Sequence, residues 1–491
     1  MRPDPATATA AKRYRQRRTA PPSCLVPVLP PCCKRNHRRS ACASLPQRLR
    51  RLLLATLLLI AWPAVVVSEE PPASEPALVA LLRAKAQALT NDAGDYDRLL
   101  TAIGDAQLVM LGEATHGSAE FYEQRARLTR RLIAEKGFSA LVLEAGWAPT
   151  TQLNAFIHDR AGRADATTAL RAFRRFPRWV WRNRQFAAFL DELKALNENS
   201  AAGSPVVSLY GMDLYGVPEA VAEVVHYLAR RDPRAAAAAR RDYRCFAPYS
   251  RIAVDPQLYG RDVARGTMPS CEKRVRARLQ QMQELTAQDA DAAGFAALMS
   301  ARAIAGAEAY YRTLYMVGAL ESWNLRERFL AESLRLLLER HGKIVVWAHN
   351  THQGDARATD QATLGELSIG QLLREQLAPK SVYLVGMTTF RGSVRAASGW
   401  GTPDRVKRLL PAIDGSWSRL LHDIGLPASV LLIRDDAELT RQLDHSRLDR
   451  GVGVTYLPAA ERDNHYAHSS LARRFDAVIH IDTTSALQPL P

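Results

Sequence analysis

The segment GEATHG places a carboxylate and an imidazole three residues apart, at Glu113 and His116. It directly follows the apolar run at 108–111 and precedes a stretch with helical spacing. An imidazole can take up or release a proton near neutral pH, and a neighbouring carboxylate can orient it. The motif WAHNTHQ adds two more imidazoles, His349 and His352, after another apolar run. These residue types predict general acid/base chemistry or metal binding.

Eight apolar runs of buried-strand length indicate what holds these residues: 107–111, 138–143, 205–209, 343–347, 381–385, 429–433, 453–456 and 477–481. Continuous Val, Leu and Ile without alternation is typical of parallel strands covered on both faces. Helical patterns separate the runs, most clearly at 118–136, where Gly137 marks the end. The sequence therefore predicts an α/β fold, with a mainly parallel sheet flanked by helices.

Two long stretches interrupt this alternation, at 149–200 and at about 218–341. Both are rich in Ala, Leu, Arg, Glu and Gln and predict an inserted α-helical subdomain. Within the second stretch, residues 240–270 are richer in aromatic residues, Gly and Pro, which favours a loop. Cys245 and Cys271 flank most of this loop. Their spacing allows one disulfide or two unrelated thiols, and the sequence leaves both open.

Polar side chains follow four of the apolar runs, namely Glu113, Glu144, Asp213 and His349. Each of them alone is consistent with an ordinary turn residue or helix cap. In open α/β sheets, however, ligands bind beyond the carboxyl ends of the strands, where loops converge. Four such residues on one sheet edge, with His116 and His352 in the adjoining turns, predict a functional site.

Arg125 lies on the core-facing stripe of the predicted helix that follows His116. It comes four residues after Phe121 and three before Leu128, which is the spacing of one helix face. A buried arginine needs a partner, since an unpaired buried charge is very costly. We expect that partner to be Glu113 or Glu144. The alternative is that the side chain extends along its stem to solvent.

Several catalytic signatures are absent from the sequence. It contains no HExxH helix motif, GxSxG elbow, Walker loop or GxGxxG. The sequence therefore lacks the usual motifs of a serine hydrolase, an NTPase and a dinucleotide-binding enzyme. A cluster of Glu and His still leaves open a divalent metal ion, or a cleft that binds without catalysis.

The net charge of +16 is concentrated at the amino terminus, because residues 1–51 carry +12 and leave +4 for the rest. A nucleic-acid partner is therefore not expected. Arginines precede sixteen uncharged residues at 52–67, and Ser68 precedes an acidic break. This pattern predicts a basic leader and signal peptide over 1–68, cleaved near Ser68, and a periplasmic or secreted protein. The alternative is an uncleaved membrane anchor, which the run disfavours because it is short for a membrane span of about 20 residues. No other membrane contact is expected.

Seven segments together resemble the erythromycin esterase family, in order and over most of residues 104–482: GEATHGSAEFYEQRARLTRRL, FSALVLEAGW, FPRWVWRN, GMDLYG, WNLRERFLAESL, VVWAHNTHQGDAR and HYAHSSLARRFDAVIHID. The resemblance is specific through their number rather than through any single motif. It implies that residues 75–491 form one catalytic domain. Some members of this family open macrolide lactones, which confers antibiotic resistance.

The resemblance also implies an active site lined by Glu113, His116, Arg125, Glu144, His349 and His352. In this family the counterpart of His116 is taken to activate water for attack on an ester, without a metal or other cofactor. The implied partner is a small-molecule ester. Asp213, Trp179 and Trp181 are the predicted substrate contacts, although aromatic residues in such a segment are often simply core.

Overall fold

The computed structural model describes residues 74–490, apart from 160, 161, 163, 201–205 and 288–290. The strands of this part are β1 (Gln87–Ala88), β2 (Leu108–Leu111), β3 (Ala140–Gly146), β4 (Ser208–Asp213), β5 (Ile344–Trp347), β6 (Val382–Ala397), β7 (Asp404–Leu409), β8 (Ala428–Leu432), β9 (Arg447–Arg450), β10 (Tyr466–Ser469) and β11 (Ala477–Thr484).

The main sheet has the strand order β1-β8-β11-β6-β2-β5-β3-β4, and β7 pairs with the far end of β6. Neighbours from β11 through β4 are all parallel. β8 runs antiparallel to β11, as β1 does to β8 and β7 does to β6. β9 and β10 form a separate antiparallel pair. The α/β fold with a mainly parallel sheet is thereby confirmed.

Both faces of the central strands are buried. In β2, Leu108 and Met110 belong to one hydrophobic cluster, whereas Val109 and Leu111 belong to the other. Successive side chains of a strand point to opposite faces, so these two clusters lie on the two sides of the sheet. Burial on both sides explains why the strands are continuous apolar runs.

One of the eight predicted strands is wrong. Residues 453–456 form no strand, and only an isolated bridge joins Thr455 to Ala397. Tyr456 is fully buried in a small cluster with Val394 and Val452. The apolar character of this run therefore reflects packing of individual side chains rather than a hydrogen-bonded ladder.

The α-helices of the described residues are α1 (Glu75–Lys85), α2 (Asp97–Ile103), α3 (Ala119–Lys136), α4 (Trp147–His158), α5 (Ala166–Ala169), α6 (Arg184–Glu198), α7 (Val217–Ala229), α8 (Pro233–Asp242), α9 (Leu258–Ala264), α10 (Glu272–Ala287), α11 (Ala292–Met316), α12 (Ala319–His341), α13 (Asn350–Gln353), α14 (Asp360–Thr363), α15 (Ile369–Gln376), α16 (Trp417–Asp423), α17 (Ala437–Leu443), α18 (Glu461–Asn464) and α19 (Leu471–Arg474). Short 3-10 helices add Leu170–Ala172, Arg178–Val180, Tyr243–Tyr249, Ala356–Ala358 and Pro458–Ala460.

Helices fill the two long stretches between strands, as the composition predicts. α11 is the centre of the second stretch and packs against α7, α9, α10 and α12. A disulfide joins Cys245 and Cys271, whose Cα atoms are 6.4 Å apart. The cysteine question left open by the sequence is thereby settled in favour of the disulfide.

The predicted signal peptide at 1–68 lies outside the described residues. Within the part of the chain that the structure describes, no helix has both the length and the apolar character needed to cross a bilayer.

Candidate functional site

The candidate site lies beyond the carboxyl ends of four neighbouring parallel strands. Leu111 of β2 is in register with Trp347 of β5, which is in register with Leu143 of β3. The residues that follow these positions are therefore brought to one level of the sheet. They include Glu113, Glu144 and His349, and β4 adds Asp213 at its last position.

Glu113 is buried between a histidine and an arginine. Its Oε1 is 2.7 Å from Nδ1 of His116, and its Oε2 accepts a hydrogen bond of 2.6 Å from Nη2 of Arg125. The side chains of Arg125 and Glu113 are 0% and 2% exposed, so Arg125 does not extend to solvent. Its guanidinium also lies 4.8 Å from the ring centroid of Trp347. The carboxylate thus holds the His116 ring through Nδ1.

Glu144 lies where the pairing of β3 with β4 becomes irregular, between Leu143 and Gly146. Its Oε2 accepts the backbone N–H of His349 at 2.8 Å, and its Oε1 is 3.1 Å from Nε2 of His352. Burial would raise the pKa of this carboxyl group. The nearby His352, His116 and Arg326 outweigh burial and hold the pKa well below its usual range, so Glu144 is ionised.

Arg326 of α12 is a site residue that the sequence analysis missed. Its Nε lies 3.1 Å and 3.2 Å from the two carboxylate oxygens of Asp213, and its Nη2 lies 3.5 Å from Oε1 of Glu144. Its signal in the sequence is the same helical spacing that marks Arg125. Arg326 precedes the buried Leu330 and Leu334 by four and eight residues on the same helix.

His352 lies between two carboxylates. Its Nδ1 is 2.6 Å from Oε1 of Glu327, the residue after Arg326, and its Nε2 faces Glu144. Burial lowers the pKa of His352, but the two carboxylates Glu144 and Glu327 outweigh burial and raise the pKa to about 10. The ring is therefore an imidazolium that donates from both nitrogens. Nη1 of Arg326, 3.2 Å from Nε2, approaches a nitrogen that has no lone pair to offer.

His349 is neutral, and both of its nitrogens are engaged by the protein. Its Nδ1 accepts the backbone N–H of Thr351 at 3.2 Å and caps α13. Its Nε2 lies 3.2 Å from the carbonyl oxygen of Ala114, which requires the proton to be on Nε2. Burial and the adjacent His116 hold its pKa well below the usual range. The His116 and His349 ring centroids are 4.8 Å apart.

A cavity of about 830 Å³ opens over these groups. Its lining includes His116, Glu144, Asp213, Arg326 and His352. The cavity is large enough for a drug-sized ligand. Of the three imidazoles in the site, His116 is the one whose Nε2 has no hydrogen-bond partner among the described residues.

The predicted substrate contacts are placed differently from one another. Trp181 lines the cavity, and its indole N–H donates to the carbonyl oxygen of Glu144 at 3.2 Å. Asp213 also lines it, but Arg326 engages its carboxylate. The expectation for Trp179 needs correction. Its side chain is 2% exposed and does not line the cavity, because it packs into the hydrophobic core from the 3-10 helix Arg178–Val180.

The same geometry bears on metal binding. Among the described residues, no group of three or more His, Cys, Asp or Glu side chains is arranged to hold a metal ion. The carboxylates that metal ligation would need are engaged instead by cations of the protein, as Glu113 is by Arg125 and Asp213 is by Arg326.

Comparison with known protein families matches residues 133–484 to the family model described as erythromycin esterase. Glu144, Asp213, Arg326 and His352 lie inside the matched range, and His116 precedes it.

Similar solved structures include a succinoglycan biosynthesis protein, 21% identical with a TM-score of 0.71 over 85% of this chain and 100% of that chain. A protein from Bacillus cereus is 19% identical, with a TM-score of 0.71 over 85% of this chain and 100% of that chain. A mutant of the erythromycin esterase EreC in its open conformation is 16% identical, with a TM-score of 0.61 over 80% of this chain and 94% of that chain. At these identities the likeness shows a shared fold.

Proposed function

Because this chain belongs to the erythromycin esterase family, we propose that it is a hydrolase in which His116 activates water to cleave an ester or macrolactone. One observation carries the proposal. Nδ1 of His116 is held by Glu113, while Nε2 has no partner among the described residues and the ring lines the cavity. An imidazole held in this way is the arrangement that general base catalysis requires.

In the proposed reaction, water attacks the ester carbonyl while Nε2 of His116 takes its proton. Glu113 stabilises the resulting imidazolium, and Arg125 keeps Glu113 in place. When the tetrahedral intermediate collapses, the bond from carbonyl carbon to ester oxygen breaks. The leaving alkoxide takes the proton back from His116, which gives an acid and an alcohol.

Negative charge develops on the carbonyl oxygen during this attack. Arg326 lines the cavity and its Nη1 has no carboxylate partner among the described residues, so it is the group suited to donate to that oxygen. The imidazolium of His352, whose two N–H groups face Glu327 and Glu144, adds positive charge beside it. Glu144 and Asp213 hold these two cations in position. His349 has no nitrogen to spare for this purpose and instead supports the turn that carries His352.

We also propose that the protein acts outside the cytoplasm, after cleavage of the signal peptide. The disulfide between Cys245 and Cys271 supports this, since disulfides form and persist in oxidising compartments.

The proposal is tested with a panel of macrolides and simple esters, each followed by mass spectrometry for an added water. We expect at least one to be hydrolysed by the wild type and not by His116→Asn. Activity that chelation removes and a divalent ion restores would point instead to a metal-dependent hydrolase. Failure of every ester would leave a binding protein that uses the same cavity.

A further inference from the structure

One wall of the cavity comes from an unusually basic segment. Six arginines and no acidic residue lie between Asp165 and Asp191. Three of them, Arg174, Arg175 and Arg178, line the cavity. We call residues 174–178 the arginine strip. The strip stands out because the chain beyond residue 51 carries a net charge of only +4.

The three arginines differ in what they contact. Arg175 donates to the carbonyl oxygens of Arg251 and Val254 at 3.1 Å and 3.2 Å, and so connects the strip to the segment 252–257, which also lines the cavity. Arg174 and Arg178 are exposed, and their side chains have no hydrogen-bond or ion-pair partner in the part of the chain that the structure describes. Two guanidinium groups are therefore available to a ligand.

Four of the five carboxylates that share the lining have a partner within the protein: Glu144 with His352, Asp213 with Arg326, Asp255 with the backbone N–H of Gln257, and Glu366 with the amide of Gln361. The fifth, Glu219, lies in the first turn of α7, and its buried Oε2 has no hydrogen-bond partner among the described residues. Glu144 and Asp213 are paired with cations, and Asp255 and Glu366 accept from neutral donors. The exposed cations of the lining whose side chains have no partner among the described residues therefore lie on the strip.

The strip leads towards the reacting groups. Trp181, three residues after Arg178, bonds to the backbone of Glu144, and three residues span at most about 11 Å. Between the two free arginines, Phe176 packs edge-on against Trp400 at 5.1 Å. Trp400 is 51% exposed and lines the cavity as well. A ligand would meet cationic groups beside an aromatic surface in the cavity that His116 also lines.

We propose that the substrates of this site are esters that also carry an oxyanion such as a carboxylate, which Arg174 and Arg178 bind while the ester carbonyl lies at His116. The proposal rests on the proposed hydrolase function and narrows its substrate class. Arginine suits this task because its planar donors match the two oxygens of a carboxylate.

Paired aryl esters test the assignment. The kcat/KM of the protein is measured for mono-4-nitrophenyl glutarate, which is anionic, and for 4-nitrophenyl butyrate, which is neutral. In Arg174→Gln/Arg178→Gln we expect the ratio of kcat/KM for the anionic ester to kcat/KM for the neutral ester to fall about tenfold or more. The fall should come mainly from a higher KM for the anionic ester, as for the loss of a hydrogen bond to a charged group. Arg171→Gln is the matched control, because Arg171 is exposed in the same segment and does not line the cavity. An unchanged ratio overturns the proposal.

A binding measurement separates this proposal from the hydrolase itself. Calorimetry compares 4-nitrobenzoate with its uncharged analogue 4-nitrobenzamide. We expect the wild type to prefer the anion and the double variant to lose that preference, even if neither ester is turned over. Equal binding of anion and amide by the wild type contradicts the proposal. So does loss of binding to anionic phospholipid vesicles in the double variant with an unchanged ester ratio, since the arginines would then serve a membrane surface.

Discussion

At the scale of single residues, the Glu113 carboxylate organises one half of the site. One oxygen faces His116 and the other faces Arg125, so the three side chains form a hydrogen-bonded triad that runs from the core to the cavity. Breaking a buried pair of this kind is costly because one charge is left without compensation. His116, at the cavity end of this triad, and Arg125, at its buried end, are therefore tested separately.

His116→Asn tests the end that faces the cavity. We expect kcat to fall by roughly 10²-fold to 10⁴-fold, which is the usual contribution of a general base to the rate, with little change in the melting temperature. Rates on a hydrolysable ester and thermal melts check this. His468→Asn is the control, since that side chain is 55% exposed and outside the cavity lining. An intact rate in His116→Asn would leave this histidine with a structural role only.

Arg125→Leu tests the buried end. It leaves Glu113 without its cation, and we expect a loss of about 3–5 kcal/mol in the free energy of unfolding together with a lower turnover. Arg125→Leu/Glu113→Gln should regain much of the stability but not the turnover, because no carboxylate remains to stabilise the imidazolium of His116. Urea unfolding and ester kinetics of the single and double variants provide the measurement. Additive losses of stability would argue against the pairing.

At the scale of elements, one helix supplies the other half of the site. α12 presents Arg326 and Glu327 side by side, and these engage Asp213 of β4 and His352 of α13. The helix thereby ties two strand ends together through charged groups. The contribution of these contacts to the stability of the fold depends on the protonation of His352, whose pKa lies far above that of a free histidine.

This dependence predicts how stability changes with pH. The folded-state pKa of His352 is raised from 6.5 to about 10. Its stabilisation is therefore fully present below pH 6.5 and is lost as the pH rises through 10. We expect the difference in unfolding free energy between wild type and His352→Asn to shrink steadily over that range in urea titrations. A difference that stays constant with pH would show that the ring is neutral in the folded protein.

The disulfide acts on a cavity wall. Cys245 and Cys271, separated by 26 positions, enclose the segment 252–257, which lines the cavity. Cys245→Ser/Cys271→Ser should lose about 3.5 kcal/mol of stability by the chain-entropy estimate. KM should rise more than kcat falls, because a binding wall is loosened and His116 is not. Melts and ester kinetics check this, with the dithiothreitol-treated wild type for comparison. An unchanged KM would separate the disulfide from substrate binding.

At the scale of the whole molecule, the portion from Pro71 to Pro491 forms one compact unit. We predict that export removes the chain up to about Ser68. N-terminal sequencing of exported protein should begin near Glu69. A chain that starts there should match the full chain in melting temperature and ester kinetics. Exported protein that retained residues before Leu52 would contradict the prediction.

Much of the sheet followed from local pattern, because a strand buried on both faces must be apolar throughout. β7 escaped detection for the opposite reason. It pairs only with β6 at the edge, and Arg405, Val406 and Arg408 are exposed, so no apolar run marks it. A strand whose side chains face water leaves little trace in composition.

For the site, the sequence alone determined which residues stand at strand ends and that Arg125 faces the core, since both depend on chain order and helical spacing. Only the tertiary structure decided that Arg125 pairs with Glu113, that Arg326 and Glu327 join from a distant helix, and that His349 is neutral while His352 is charged. These outcomes depend on strand register and on the charges that burial brings together from remote parts of the chain, and no local spacing encodes either.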